Sequence, residues 1–380
     1  MATPSRAPSL DSICDRVESA LTGGQPYVSD DCASTSALRS DTALVVATSG
    51  STGQPKCVEL SHQAVLASAS ASAAAVGGSG AWLLALPVSG MAGLNVVIRS
   101  IVAGYRPVPL PPGSFTPEAF LAAYSQLPAG VPAYLSVVPT QLRRLLAASP
   151  LVDTLASFAT VLIGGAMVDD DLMDHARAAG INLVQTYGMT ETCGGCVYDG
   201  SPLPGVSVAV SEDDGRVELA GSVLASGYVA GGEEPGSDFV VRDGERWFRA
   251  HDLGEFDEQN RLRILGRSDD VIISGGENIV PQRVEGVIRE LPQVRDALVV
   301  PVPDTQWGQK AVALVILSSL GVSVGQPDSL TGLVRAHVGQ RLRPQLAPRQ
   351  VIVVERFPQL SSGKVDRAAA AALAQASSLG

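Results

Sequence analysis

The stretch VVATSGSTGQPKCVELSH, residues 45–62, decides how the chain is organised. An apolar run ends in Thr48, Ser49, Gly50, Ser51, Thr52 and Gly53, then meets a proline and Lys56. DTALVVA, residues 41–47, reads as a buried strand, a short apolar run closed by turn residues. SHQAVLASASASAAAVG reads as a helix with Ser61 as its N-cap. The pattern then repeats. AWLLALPV, AYLSVV, TVLIGGA and NLVQTYG read as strands. GLNVVIRSIVAGY, PTQLRRLLAASP and DDDLMDHARAAG read as helices, the last with Asp169–Asp171 as an acidic first turn. Strands alternating with helices predict a largely parallel sheet wrapped by helices.

After about residue 200 the texture changes. GVSVAVSEDDGRVELAG and DGERWFRAHDLGEFDEQNRLRILGR are short alternating runs with Asp-Gly turns, which read as antiparallel hairpins. From residue 268 the pattern is that of a small α+β unit. The expected architecture is an α/β N-terminal domain over residues 1–267, with parallel sheets, helices and a small β-barrel-like part. A small mobile α+β C-terminal domain over residues 268–380 would follow, the texture switching at Gly266–Asp270.

The 380 residues are 46% hydrophobic and 17% charged, the composition of a folded globular protein. A formal charge of −11 argues against nucleic acid or an anionic membrane surface as a partner. The N-terminal segment lacks the apolar core of a signal peptide, and SAAAVGGSGAWLLALPV is too broken by serine and glycine to insert in a membrane. Five cysteines, an odd number in a long chain, predict reduced thiols and a cytoplasmic location. Of the 27 basic residues only Lys56, Lys310 and Lys364 are lysines. A compact ammonium on a flexible stem is not equivalent to the planar arginine fork, so these positions stand out.

The loop after the first strand is suited to phosphate. Its glycines let backbone N–H groups approach an anion, its hydroxyls donate hydrogen bonds, and Lys56 adds a full charge. A solvated turn is the competing reading, and Gly-x-x-Gly-x-x-Lys is not the Walker spacing. Cys193-Gly-Gly-Cys196 resembles half a zinc site but has no second Cys/His pair at zinc spacing, so room beside a substrate is the better reading of its glycines. His62 reads as structural.

Four blocks in order resemble the signatures of the adenylate-forming superfamily of acyl-CoA synthetases, luciferases and peptide-synthetase adenylation domains. They are TSGSTGQPK (48–56), QTYGMTET (185–192), HDLGEFDEQNRLRILGRSDDVIISGGENIVP (251–281) and LSSGKVDR (360–367). Lys56 and Lys364 both fall inside them. The resemblance implies an acid–thiol ligase using ATP, CoA and Mg²⁺. A carboxylate attacks the α-phosphate of ATP, pyrophosphate leaves, and a thiol then displaces AMP.

By the same resemblance, Thr48 to Lys56 would hold the β- and γ-phosphates, Thr190 the α-phosphate and Glu191 the Mg²⁺. Tyr187, next to Gly188, would lie on the adenine with Gly164, Gly165 and Ala166 opposite. Asp252 would accept from the ribose hydroxyls, and Arg267 would lie near ribose and phosphate. Asp269 would be the hinge. Lys364 would bridge the two reacting groups in the first half-reaction only. After the C-terminal domain rotates, Gly275, Gly276, Glu277 and Asn278 would line a tunnel for the pantetheine arm. Relatives are usually homodimers.

Within that superfamily, LSVVPTQLRRLL and GLNVVIRS are most similar to the o-succinylbenzoate–CoA ligases of menaquinone synthesis, whose substrate is a dicarboxylate. Arg99, a charge inside an apolar helix, would meet the carboxylate that is not activated, and an internal ion pair is the alternative. Ser89, Gly90, Gly188 and Met189 would line the acyl site, although many relatives carry an aromatic-His pair at Ser89-Gly90. The rivals are another aryl- or acyl-CoA ligase, a stand-alone amino-acid adenylation domain, and a nucleotide-binding protein without catalysis. The only charge in residues 86–100 is positive, which disfavours an amino-acid substrate.

Overall fold

The computed structural model describes residues 8–32, 38–48, 56–111, 116–229, 238–318, 327–359 and 365–378. The chain divides into two compact units. One takes Met1–Ala209, Glu218–Ala250 and Phe256–Leu262, and the other Val210–Val217, His251–Glu255 and Arg263–Gly380.

The first unit is built on a seven-stranded sheet. Its order is Ser201–Pro202, Gly194–Tyr198, Leu183–Met189, Thr160–Ile163, Ala133–Val137, Ala81–Leu84, Val108–Pro109. The last five pair in parallel, and Gly194–Tyr198 folds back antiparallel on Leu183–Met189. AWLL and TVLI are buried at every position, because helices cover both faces of a parallel sheet. The expected helices form. Ser61 caps His62–Ala75, its hydroxyl accepting from the Ala64 N–H at 3.2 Å. Asp169 likewise caps Asp170–Ala178 by accepting from the Leu172 N–H at 2.9 Å.

The deciding stretch differs from its expected shape. Lys56–Ser61 is a strand antiparallel to Thr42–Thr48, in the register Val46–Val58, Ala47–Cys57, Thr48–Lys56. Burial explains it: Val58 and Leu60 join Leu44 and Val46 in one apolar cluster, each side chain worth about 1.5–3 kcal/mol on burial. Glu59, buried between them, is satisfied by the Arg39 N–H at 2.7 Å, the Arg39 guanidinium at 2.6 Å and the Thr42 hydroxyl. The residues between, 49–55, lie outside the described residues. This hairpin belongs to a four-stranded sheet flanked by Tyr27–Val28 and Gly227–Tyr228. Helices Leu10–Leu21 and Pro117–Tyr124 form beyond those expected from the sequence. The helix expected over PTQLRRLLAASP ends at Leu146, and a separate one follows at Ser149–Ala156.

The expectation of reduced thiols is corrected. Cys32 and Cys57 form a disulfide, with Cα atoms 5.8 Å apart, while Cys14, Cys193 and Cys196 are free and buried. An odd count leaves one thiol over but does not forbid pairs. This pair forms because Tyr27–Val28 lies beside Thr42–Thr48, and Lys56–Ser61 returns along that strand's other edge.

The hairpins expected after residue 200 form a sheet in the order Val206–Val210, Arg216–Gly221, Glu245–Phe256, Phe239–Arg242, with Leu262–Arg267 beside Glu245–Phe256. In the second unit, strands Glu277–Ile279, Ile272–Ser274, Gly308–Leu317 and Val294–Asp304 lie side by side. Gln350–Val353 is parallel to Gly308–Leu317. Helices Pro281–Arg289 and Pro327–Arg341 supply Val284, Ile288, Val334 and Val338 to its core. Among the described residues, no helix is long and apolar enough to cross a membrane.

Candidate active site

The hairpin carries the first group of predicted residues. Thr48 and Lys56 face each other as its last described pair, and the Thr48 hydroxyl donates to the Lys56 carbonyl at 3.3 Å. Ser49, Gly50, Ser51, Thr52 and Gly53 lie outside the described residues. Lys56 opens a strand, not a helix. Lys56 Nζ lies 5.2 Å from the ring centre of Tyr228, whose strand Gly227–Tyr228 pairs with Lys56–Ser61.

Tyr228 also reaches Glu191. Its hydroxyl donates to Glu191 Oε1 at 3.0 Å, and Asp238 Oδ2 is 3.4 Å from the same oxygen. Glu191 sits in the short helical turn Thr190–Thr192, 9% exposed, and its carbonyl accepts from the Ala225 N–H at 2.8 Å. Burial pushes its carboxyl above the usual range. Hydrogen bonds from its own backbone and from Tyr228 oppose that shift, Asp238 adds to it, and Lys56 opposes it. Tyr228 is pushed up as well, first by burial and then by the two carboxylates. The sequence did not point to Tyr228 or Asp238. A Gly-Tyr pair in a two-residue strand carries no periodic signal.

Gly164, Gly165 and Ala166 follow strand Thr160–Ile163, and Tyr187 lies near the end of the adjacent parallel strand Leu183–Met189. The two segments therefore meet at the carboxyl ends of the strands, where ligands of open α/β sheets bind. Packing there is close: a Cβ on Gly164 would stand 2.4 Å from Thr186 Oγ1. Gly188 lies against Gly194, and a Cβ there would stand 2.1 Å from the Gly194 carbonyl oxygen.

The acyl-site candidates follow from helix Met91–Val102, whose N-cap is Gly90, with Ser89 exposed just before it. Asn95 donates from Nδ2 to the Cys193 carbonyl at 2.9 Å. One turn on, Arg99 is buried, 7% exposed. Its guanidinium lies 5.2 Å from the Trp82 ring centre, and its Nη2 donates to the Tyr198 hydroxyl at 3.2 Å. Its Nε has no hydrogen-bond partner. Among the described residues no carboxylate pairs with it, so the internal ion pair weighed above does not form. Cys193 and Cys196 flank the two glycines as buried thiols. Burial raises both, Cys196 to about 12.

In the second unit Arg267 forms a two-pronged pair with Asp269, Nε to Oδ1 and Nη2 to Oδ2, both at 2.8 Å. Asp252 lies 3.7 Å from Arg267 Nη1. The guanidinium holds Asp269 below the ordinary carboxylate range although burial acts the other way. Gly275 and Gly276, with φ of 60° and 87°, make the two-residue turn between Ser274 and Glu277. That turn needs positive φ at both positions. Trp307 closes over Gly275, and Glu277 pairs with Arg343 at 2.9 Å. Lys364 lies outside the described residues. The strand bridge from Gln359 to Val365 closes the ends of its segment.

The donors fit Mg²⁺. Glu191 and Asp238, both within reach of the Tyr228 hydroxyl, carry hard oxygen donors, and no group of three metal-binding side chains occurs among the described residues. An ion held by one or two carboxylates and completed by substrate phosphates is the usual Mg²⁺ arrangement.

Two family models match this chain: AMP-binding enzyme over residues 5–230, and AMP-binding enzyme C-terminal domain over residues 283–364. A probable 2-succinylbenzoate–CoA ligase of Mycobacterium tuberculosis is 42% identical over 333 residues, 87% of this chain and 84% of that protein. The 2-succinylbenzoate–CoA ligase of Enterococcus faecalis is 31% identical, over 85% of this chain and 68% of that one. Among solved structures, the o-succinylbenzoate CoA synthetase of Bacillus subtilis in complex with the acyl-adenylate intermediate OSB-AMP superposes with a TM-score of 0.71. It is 28% identical and covers 86% of this chain and 68% of that one. The chain belongs to the AMP-binding enzymes, the adenylate-forming superfamily that its four signature blocks resemble.

Proposed function

We propose that this protein is a 2-succinylbenzoate–CoA ligase of menaquinone synthesis, an AMP-forming acid–thiol ligase. The observation that carries the choice of acid is Arg99, a buried guanidinium with an unpartnered Nε and, among the described residues, no carboxylate to neutralise it. A dicarboxylic substrate brings its own counter-ion: the ring carboxylate pairs with Arg99 while the succinyl carboxylate reacts. Ser89 and Gly90 leave more room beside it than the aromatic-His pair of many relatives.

In the first step the succinyl carboxylate attacks the α-phosphorus and pyrophosphate leaves. Thr48 to Lys56 hold the β- and γ-phosphates, and Thr190 the α-phosphate. Glu191 would hold Mg²⁺, which would supply neutralisation of the phosphate charge. Lys364 bridges the attacking carboxylate and the α-phosphate, offsetting repulsion between two anions. Tyr187 and Gly164–Ala166 enclose the adenine, Asp252 accepts from the ribose, and Arg267 lies beside it. In the second step the CoA thiol attacks the acyl carbon and AMP leaves, the pantetheine arm passing Gly275, Gly276 and Glu277 after rotation about Asp269. The reading includes a homodimer in the cytoplasm.

The test is pyrophosphate release with o-succinylbenzoate, benzoate, fatty acids or amino acids, each with and without CoA. Release with o-succinylbenzoate, and AMP and thioester once CoA is present, is the expected result. Activity on amino acids but not on the dicarboxylate overturns the proposal.

A further inference from the structure

We propose that Tyr228 is a positioning residue for the metal–nucleotide end of this site, a role that rests on the reading above. One side chain serves both charges that the first half-reaction needs. Its hydroxyl donates to Glu191 Oε1 at 3.0 Å and so fixes how the buried carboxylate points. Its ring face lies 5.2 Å from Lys56 Nζ, the ammonium at the base of the phosphate loop. The fold dictates the pairing. Tyr228 is the cross-strand partner of Val58, so Lys56, two residues along the same strand, shares its face of the sheet. The backbone is pinned by the Val229 N–H donating to the Cys57 carbonyl at 2.9 Å, and the ring is wedged edge-on against Phe239 at 5.9 Å. The phenol has one proton and two acceptors, Glu191 at 3.0 Å and Asp238 at 3.4 Å. The nearer carboxylate, Glu191, takes it. Glu191 without this donor would be free to turn toward Lys56, and the anion and the cation would then neutralise each other instead of binding metal and phosphate.

Two variants separate the two services. Tyr228→Phe keeps the ring beneath Lys56 and removes only the hydroxyl. It should weaken Mn²⁺ binding to the ATP-loaded protein about tenfold, as loss of a hydrogen bond to a charged group does, read from the free-Mn²⁺ electron paramagnetic resonance signal. Its ATP affinity in EDTA should stay at the wild-type value. Tyr228→Leu removes ring and hydroxyl, and ATP affinity in EDTA should fall as well. In both, thioester formation from supplied acyl-adenylate and CoA should be unchanged, which a general folding defect would not allow. Tyr228→Phe with wild-type Mn²⁺ binding overturns the inference alone. Wild-type protein that binds no Mn²⁺·ATP overturns the reading of the site and the inference with it.

Discussion

An arginine buried between Trp82 and Tyr198 has lost most of its hydration, a cost of several kcal/mol that a ring face and one neutral hydroxyl offset only in part. On the proposed function, the ring carboxylate of the substrate completes its coordination. Replacing Arg99 by Leu should raise the KM for o-succinylbenzoate by about 10- to 100-fold, the range for a lost charge-assisted hydrogen bond, and leave the KM for ATP alone. The same variant should turn over 4-oxo-4-phenylbutanoate, which lacks the ring carboxylate, as well as the wild type does. A loss equal for both acids would remove Arg99 from the carboxylate's binding site. Arg99 was legible in the sequence because a charge interrupts an otherwise apolar helix. Tyr228 was not, because its meaning comes from a strand partner reached through the fold. Gly188 was legible as part of a block, but its reason is steric: φ is 157° and a Cβ would stand 2.1 Å from the Gly194 carbonyl oxygen. Gly188→Ala should therefore cost about 2–4 kcal/mol, as other backbone clashes in packed sites do. Urea unfolding of the two proteins measures it, and an unchanged midpoint would contradict the packing described.

At the scale of elements, the parallel strands and their helices were readable because their apolar runs are continuous and their caps, Ser61 and Asp169, are of the right chemical type. The strand Lys56–Ser61 was hidden by its neighbours: six residues beside a glycine-rich loop and a cap look like an extension of either. Its consequence is the Cys32–Cys57 bond, since only the returning strand brings Cys57 to Cys32. Closing a loop across a separation of 25 residues removes about 3–4 kcal/mol of entropy from the unfolded chain in the chain-entropy account. Under non-reducing conditions the denatured protein should show three titratable thiols, and five after reduction. The native protein should show none at neutral pH, because Cys14, Cys193 and Cys196 are buried and their thiols are pushed up, Cys196 to about 12. Cys57→Ser should lower the melting temperature without reductant and match reduced wild type with it. Five reactive thiols in unreduced, denatured protein would exclude the bond.

The whole molecule carries a net charge of −11 and yet, on the proposed function, must bind two polyanions, ATP and CoA, and a dicarboxylate. Positive charge therefore has to be local, and two of the three lysines fall in the signature blocks: Lys56 in the first unit, Lys364 in the second. The division makes the two half-reactions separable by mutation within the second unit alone. On the proposed function, Lys364 serves where a carboxylate meets the α-phosphate, and nothing in thiol attack on a neutral acyl carbon calls for it. Lys364→Ala should cut adenylate formation by about 100- to 1,000-fold, the scale of losing one charge-stabilising donor, and spare thioester formation from supplied acyl-adenylate. Gly275→Ala should show the reverse. Its φ is 60°, and a Cβ would stand 2.3 Å from the Trp307 ring, so the Gly275–Gly276 turn would be pushed off the tryptophan while the adenylation residues of the first unit keep their places. Single-turnover measurements of both half-reactions on both variants decide the matter. If either substitution slows the two steps equally, the second unit does not divide its work between them, and the assignment of Lys364 to the first step and of the glycine turn to the second falls.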